Sequence, residues 1–169
     1  MICAVLIAVG LNLCAPGWVA AVADSAGPVA QVDEETIRQA VLRANSDPIY
    51  GDAYRTLNPN LLEAGWGGEA LLDMRDDIGA LLAVGQYLDL QPEDFSFERI
   101  DVLGPGRVRA VTLERWLARL YQVGGSYLGY QRQVVENRYL LERRGDDWVI
   151  TEVDQDIQGG DPVFRQGEP

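Results

Sequence analysis

The side chains that could do chemistry in this sequence are few, and they are acidic or aromatic. All 14 basic residues are arginine, and the chain has no histidine. Imidazole acid–base catalysis, Ser-His-Asp triads and histidine metal sites are therefore excluded, and without lysine so are Schiff bases. Both cysteines, Cys3 and Cys14, fall in an uncharged N-terminal run, which leaves the rest of the chain no thiolate. Any reaction would have to use Asp, Glu, Tyr or Arg. Glu114 stands out, because it shares a strand face with Thr112 and Trp116 and could point its carboxylate into an interior. A buried carboxylate is a costly group, and it is the leading candidate for a ligand contact.

Two acidic runs invite metal readings. Asp73-Met-Arg-Asp76-Asp77 places three carboxylates near one another on a helix, where a solvated face balanced by Arg75 is the expectation. Asp154-Gln-Asp156-Ile-Gln158-Gly159 imitates the opening of a calcium loop, but Arg165 stands where the closing bidentate acid belongs. No metal and no cofactor is expected.

The elements that must position these groups fall into two halves. Asp33 caps a first helix with apolar positions Ile37, Ala40, Val41 and Ala44. Asp47-Pro48 opens a short second helix with Ile49, Tyr50, Tyr54 and Leu57 on its buried side. Gly65-Trp66-Gly67-Gly68 is a break with an aromatic anchor, and a third helix runs from Glu69 to about Leu88. Gln91-Pro92-Glu93-Asp94 closes the helical half. Four strands follow: Phe95–Leu103, Arg107–Val123, Tyr127–Arg144 and Trp148–Val153, separated by glycine-rich turns. On the second, Val108, Ala110, Thr112, Glu114, Trp116, Ala118 and Leu120 share one face, with arginines on the other. Arginines and glutamates of neighbouring strands should pair across that outer face, which is also the one place for an acidic partner to dock.

This order of helices followed by a curved meander resembles the nuclear transport factor 2-like (SnoaL-like), cone-shaped α+β superfamily, over about Asp33 to Asp154. Tyr139-Leu-Leu-Glu-Arg and the Gly145-Asp-Asp-Trp148-Val-Ile150 hairpin carry the likeness. Ala110-Val-Thr-Leu-Glu114, Tyr121-x-x-Gly124 and the Tyr139 strand look most like accessory domains of bacterial and organelle membrane proteins, which commonly bind partners. The resemblance implies an α+β fold with a four-stranded antiparallel sheet enclosing a cone, and Glu114, Trp116, Tyr127 and Tyr139 as the residues to contact a ligand. The limonene epoxide hydrolase branch uses Arg-x-Asp; Arg99-Ile100-Asp101 fits the spacing but lies on the strand before the one expected, where Glu114-Arg115-Trp116-Leu117 lacks the aspartate. The ketosteroid isomerase branch needs a tyrosine and two carboxyls, for which Tyr127, Tyr130, Tyr139, Glu114 and Asp154 are available.

Composition bounds the partners. With 26 acids against 14 bases and a net charge of -12, the summed field repels phosphates, so nucleic acid is not expected. Residues 1–23 carry no charge and end in Ala21-Val22-Ala23, a small-x-small cleavage motif. They are read as a signal peptide, or an anchor if uncut, with 24–31 a linker, 32–155 the domain and 156–169 a flexible acidic tail. The expectation is a secreted or periplasmic domain that binds a protein or small ligand without catalysis, touches a membrane only through its N-terminus, and can form homodimers. The rivals are an isomerase or hydrolase acting in the cone and an acidic calcium-binding module.

Overall fold

A computed structural model describes residues Val32 to Gly167; the leader and linker lie outside the described residues. The chain begins with α1 (Glu34–Ala44), capped by Asp33, whose carboxylate accepts from the Glu35 N–H at 3.1 Å and the Thr36 hydroxyl at 2.9 Å. Its stripe of Ile37, Ala40, Val41 and Ala44 is buried, as the spacing requires. A wide turn over Asp47–Gly51 leads into α2 (Asp52–Thr56), and a 3-10 turn over Pro59–Ala64 leads into α3 (Gly68–Ala83).

The remainder is one antiparallel meander: β1 (Gln86–Gly104), β2 (Arg107–Gln122), β3 (Tyr127–Arg144) and β4 (Asp147–Gly160), in the order β1-β2-β3-β4. Three register shifts in β1, at Pro92/Asp94, Phe97/Arg99 and Val102/Gly104, bend and twist the sheet. The helices pack on the concave side. There Ala110 pairs with Tyr139 and Thr112 with Asn137, and the alternation read from the sequence puts Val108, Ala110, Thr112 and Glu114 inside.

The helical layer is fastened to the sheet by the glycine-rich break. Gly67 N–H donates to the Ile150 carbonyl at 2.8 Å, and Ile150 N–H donates to the Gly65 carbonyl at 3.0 Å. Between them the buried Trp66 indole donates from Nε1 to the Ala44 carbonyl at 2.9 Å. The break is close-fitting: a Cβ on Gly65 would lie 2.7 Å from the Ala44 Cβ, and one on Gly68, at φ 55°, would lie 2.7 Å from the Thr151 carbonyl oxygen.

Several expectations are corrected. α3 stops at Ala83, not near Leu88, because Gly85 takes φ 67° and its carbonyl accepts from the Val123 N–H at 2.8 Å. β1 therefore starts at Gln86 rather than Phe95, and Tyr87 stacks on Tyr121 across the ladder, with ring centroids 5.1 Å apart. Gln91-Pro92-Glu93-Asp94 does not close the helical half but lies inside β1, where an edge strand tolerates proline at a bulge. The domain runs past residue 155. Asp156–Gly160 continues β4 against β3, and Tyr130 and Arg165 exchange backbone hydrogen bonds at 2.9 and 2.7 Å. Asp161 holds this return, accepting from the Arg132 N–H at 3.1 Å and, through its carbonyl, from the Gln131 amide at 2.8 Å. The imitation calcium loop is strand: Asp154 pairs with Arg138 at 2.9 Å and Asp156 accepts from Gln158 at 3.0 Å. An extended ladder cannot wrap its oxygens around one ion.

Two glycines give opposite tests. Gly79, inside α3 with open space where a Cβ would go, should stabilise the fold by about 0.5–1 kcal/mol when changed to Ala. Gly68→Ala should cost at least about 1–2 kcal/mol, since an L-residue is forced into the left-handed region against a backbone oxygen. Urea unfolding of both variants separates the two outcomes.

Candidate functional site in the cone

Glu114 is 1% exposed and receives three hydrogen bonds. Thr112 Oγ1 donates to Oε1 at 2.6 Å, Tyr139 Oη donates to Oε1 at 2.7 Å, and Trp116 Nε1 donates to Oε2 at 2.7 Å. The strand pairing makes this local: 112, 114 and 116 share a face by the two-residue period, and Tyr139, which faces Ala110 on the neighbouring β3, reaches along the same face to Glu114. Behind Tyr139 the chain of donors continues. Asn137 Nδ2 donates to the Tyr139 oxygen at 3.1 Å, and Gln155 Nε2 to the Asn137 oxygen at 3.2 Å. Every proton in this network points toward Glu114, an arrangement complementary to a carboxylate. Burial, then the neighbouring Glu114 charge, holds the Tyr139 phenol well above its ordinary range, so it stays a donor.

The network lines a cavity of about 160 Å³ between the helices and the concave sheet. Tyr50 and Tyr54, one helical turn apart, and Trp66 form its aromatic wall. The Tyr50 ring lies 5.1 Å from Tyr54, 5.7 Å from Trp66 and 5.6 Å from Trp116, and Trp66 meets Tyr139 at 6.1 Å. Burial raises the phenols of Tyr50 and Tyr54; Asp77 adds to the rise at Tyr50, and Tyr50 followed by Asp77 adds to it at Tyr54. The opposite wall is a stripe of α3: Ala70, Asp73, Met74 and Asp77 all reach the cavity. Asp77 is half-buried, and burial first, then Asp73 and Asp76, holds its carboxyl above the usual carboxylate range. Phe164, from the returning C-terminal segment, completes the lining.

The structure brings together three of the four residues expected to contact a ligand: Glu114, Trp116 and Tyr139. Tyr127 is not with them. It sits at the far end of β3, 37% exposed, its ring 5.4 Å from Tyr121, because β2 and β3 run on past the helical layer. Of the other groups considered for isomerase chemistry, Asp154 lies on the outer face with Arg138 and Tyr130 packs against Arg132. Arg99 and Asp101 pair with each other at 2.7 Å on the outer face, with side chains 63% and 38% exposed, so they cannot serve the cone. Some outer arginines pair as expected, Arg107 with Glu142 at 3.3 Å, Arg119 with Asp89 at 3.3 Å and Arg132 with Glu93 at 3.0 Å, whereas Arg109 and Arg115 form no ion pair among the described residues. The solvated face expected for Asp73, Asp76 and Asp77 holds for the exposed Asp73 and Asp76, but Asp77 is half-buried and, with Asp73, reaches the cavity. Their i, i+4 spacing, in step with Ala70 and Met74, is the signal that would have found this wall. Among the described residues no group of acids is gathered closely enough to hold a metal ion.

No family model matches the chain, and no curated protein matches it in sequence. Solved structures do. The intermembrane-space region of the chloroplast protein ARC6 superposes with a TM-score of 0.66 at 16% identity, covering 76% of this chain and 99% of its own. Hexachlorocyclohexane dehydrochlorinase LinA-type3 from Novosphingobium barchaimii LL02 gives 0.51 at 13% identity, covering 80% and 97%. A putative dehydratase from the NTF2-like family of Streptomyces avermitilis gives 0.49 at 13%, covering 73% and 97%. The chain has the nuclear transport factor 2-like α+β cone fold. That fold is shared by an enzyme and by a region of an organelle protein, so it leaves activity to be argued from the site.

Removing the carboxylate should be costly. Glu114→Gln puts an amide donor among three donors and should destabilise by about 1–3 kcal/mol, and Tyr139→Phe by about 1 kcal/mol, read by denaturant unfolding. Asp77 gives a pH test. Its folded-state affinity for protons exceeds that of the unfolded chain, so its contribution is present at low pH and is lost as pH rises past the carboxylate range. Asp77→Asn should therefore raise Tm at pH 7, and the gain should vanish below about pH 4.

Proposed function

We propose that the protein is an exported ligand-binding domain that holds a small molecule in its cone and does not transform it. The observation that carries this reading is a formed, aromatic-walled cavity of about 160 Å³ with a fully hydrogen-bonded carboxylate at its side. A cavity near this size accommodates a benzene-sized molecule, and convergent polar groups on aromatic walls are what small-ligand sites present. Absence of catalysis is supported by the state of Glu114. A general base must reach a substrate proton, and both of its oxygens are already engaged. Docking of a protein on the outer arginine face has less support, since most of those arginines are already paired to acids on the same sheet. The uncharged residues 1–23 support export, and among the described residues no helix is long and apolar enough to cross a membrane.

One observation favours an enzyme. Asp77 lines the same cavity, is only half-buried, and its carboxyl is raised by burial and by Asp73 and Asp76, which is how acid–base groups are tuned. Backbone amide NMR with a panel of neutral, anionic and cationic molecules of benzene size tests the reading. Members of the panel should shift cone-lining amides, mass spectrometry should recover them unchanged, and Ala118→Phe, which fills the cavity, should abolish the shifts. Shifts that survive Ala118→Phe, or none at all, would remove the cone as the site. Conversion of a panel member that Asp77→Asn abolishes would establish the enzyme instead.

A further inference from the structure

Taking the cone as the binding site, we infer that its ligand is a small organic cation, an ammonium group carrying a compact apolar body. The lining of the cone is acidic. Asp73, Asp77 and Glu114 all reach the cavity and no arginine does, although the chain has 14 of them. Arg75, next to Asp76 on the same helix, turns away to pair with Glu63. Arg138, between the cavity-lining Asn137 and Tyr139 on β3, points to the outer face, where it pairs with Glu136 at 2.5 Å and Asp154 at 2.9 Å.

Glu114 also lacks a cationic partner. Buried charges are ordinarily paired with an opposite charge. Glu114 has three neutral donors and, among the described residues, no ion pair with any arginine. The carboxylate is hydrogen-bonded but has no opposite charge beside it, and two more carboxylates, Asp73 and Asp77, stand on the facing wall. A neutral or anionic ligand would leave that charge as it is, and a cation would balance it.

The aromatic wall favours a cation independently of the charge count. Tyr50, Tyr54, Trp66, Trp116 and Tyr139 form one continuous ring cluster, with neighbouring planes tilted by 32 to 68°. Tilted rings offer both faces and edges to a central ligand. Electron-rich faces of Trp and Tyr attract ammonium groups, and the attraction grows when water is excluded. Aromatic walls with a carboxylate on each of two sides, α3 and β2, fit a cation whose charge is sheathed in methyl or methylene groups.

Three probes of nearly the same shape test this: choline, its neutral isostere 3,3-dimethyl-1-butanol, and the anion 3,3-dimethylbutyrate. They are titrated into the full chain with cone-lining amides as the readout. Choline should bind at least about tenfold more tightly than the alcohol, and the anion should be weakest. Asp77→Asn, on the rim of the cavity, should narrow the preference of choline over the alcohol without abolishing binding of the alcohol. Glu114→Gln should narrow it further where the variant folds, and Asp77→Asn serves if it does not. Equal or tighter binding of the alcohol or the anion would overturn the cation assignment while leaving the cone a binding site. Silence of all three probes, with other neutral molecules still binding, would also overturn it. No binding by any small molecule would sink both readings together.

Discussion

The short exchange between Gly65, Gly67 and Ile150 holds the architecture together. A helical layer laid on a curved sheet has few backbone hydrogen bonds to offer it, because each layer satisfies its own. Here two such bonds, with the buried Trp66 between them reaching back to the Ala44 carbonyl, tie α1, the turn before α3 and the last strand into one unit. Glycine is required because Ala44 and Thr151 approach too closely for a side chain. With that fastening in place, α3 lies against β4 and the wall of Ala70, Asp73, Met74 and Asp77 faces the concave sheet.

Within the frame so fixed, the buried carboxylate costs stability as an unneutralised charge but is surrounded by donors whose own positions it determines. Tyr139, Trp116 and Thr112 each have one strong acceptor, the same one, so their rotamers are set by Glu114. An apolar residue there would leave a buried phenol, an indole and a hydroxyl without that acceptor, which costs more than the loss of a single bond. The polar side of the cone is thus pre-organised before any ligand arrives.

Much of this was legible in the residues. The two-residue period placed Thr112, Glu114 and Trp116 on the inner face, the Gly145 turn fixed the closing hairpin, and the lack of histidine and lysine narrowed the chemistry. What could not be read was where a long strand leaves the cover of the helices: Tyr127 and Tyr139 look alike in sequence, yet one lies at an exposed end of the sheet and the other at the bottom of the cone. The start of β1 was hidden because Gln86–Leu90 is as compatible with the end of a helix as with a strand, and only pairing with β2 decides it. Asp77 was misplaced because an acidic residue is ordinarily a sign of solvent, and a cavity reverses that inference; Asp73 and Asp76 are exposed, as read. The return of the C-terminal segment depends on backbone bonds from Tyr130 and Arg132, which no pattern in the segment announces.

The bulges of β1 carry a consequence for how copies of this protein meet. An open four-stranded meander exposes a strand edge, and a long regular edge is a template for pairing with another chain. β1 offers no long regular stretch: its ladder is displaced at three points, Pro92 has no N–H to donate, and Glu93 and Asp94 stand beside it. The same irregularities that curve the sheet around the cone make this edge a poor template for strand pairing.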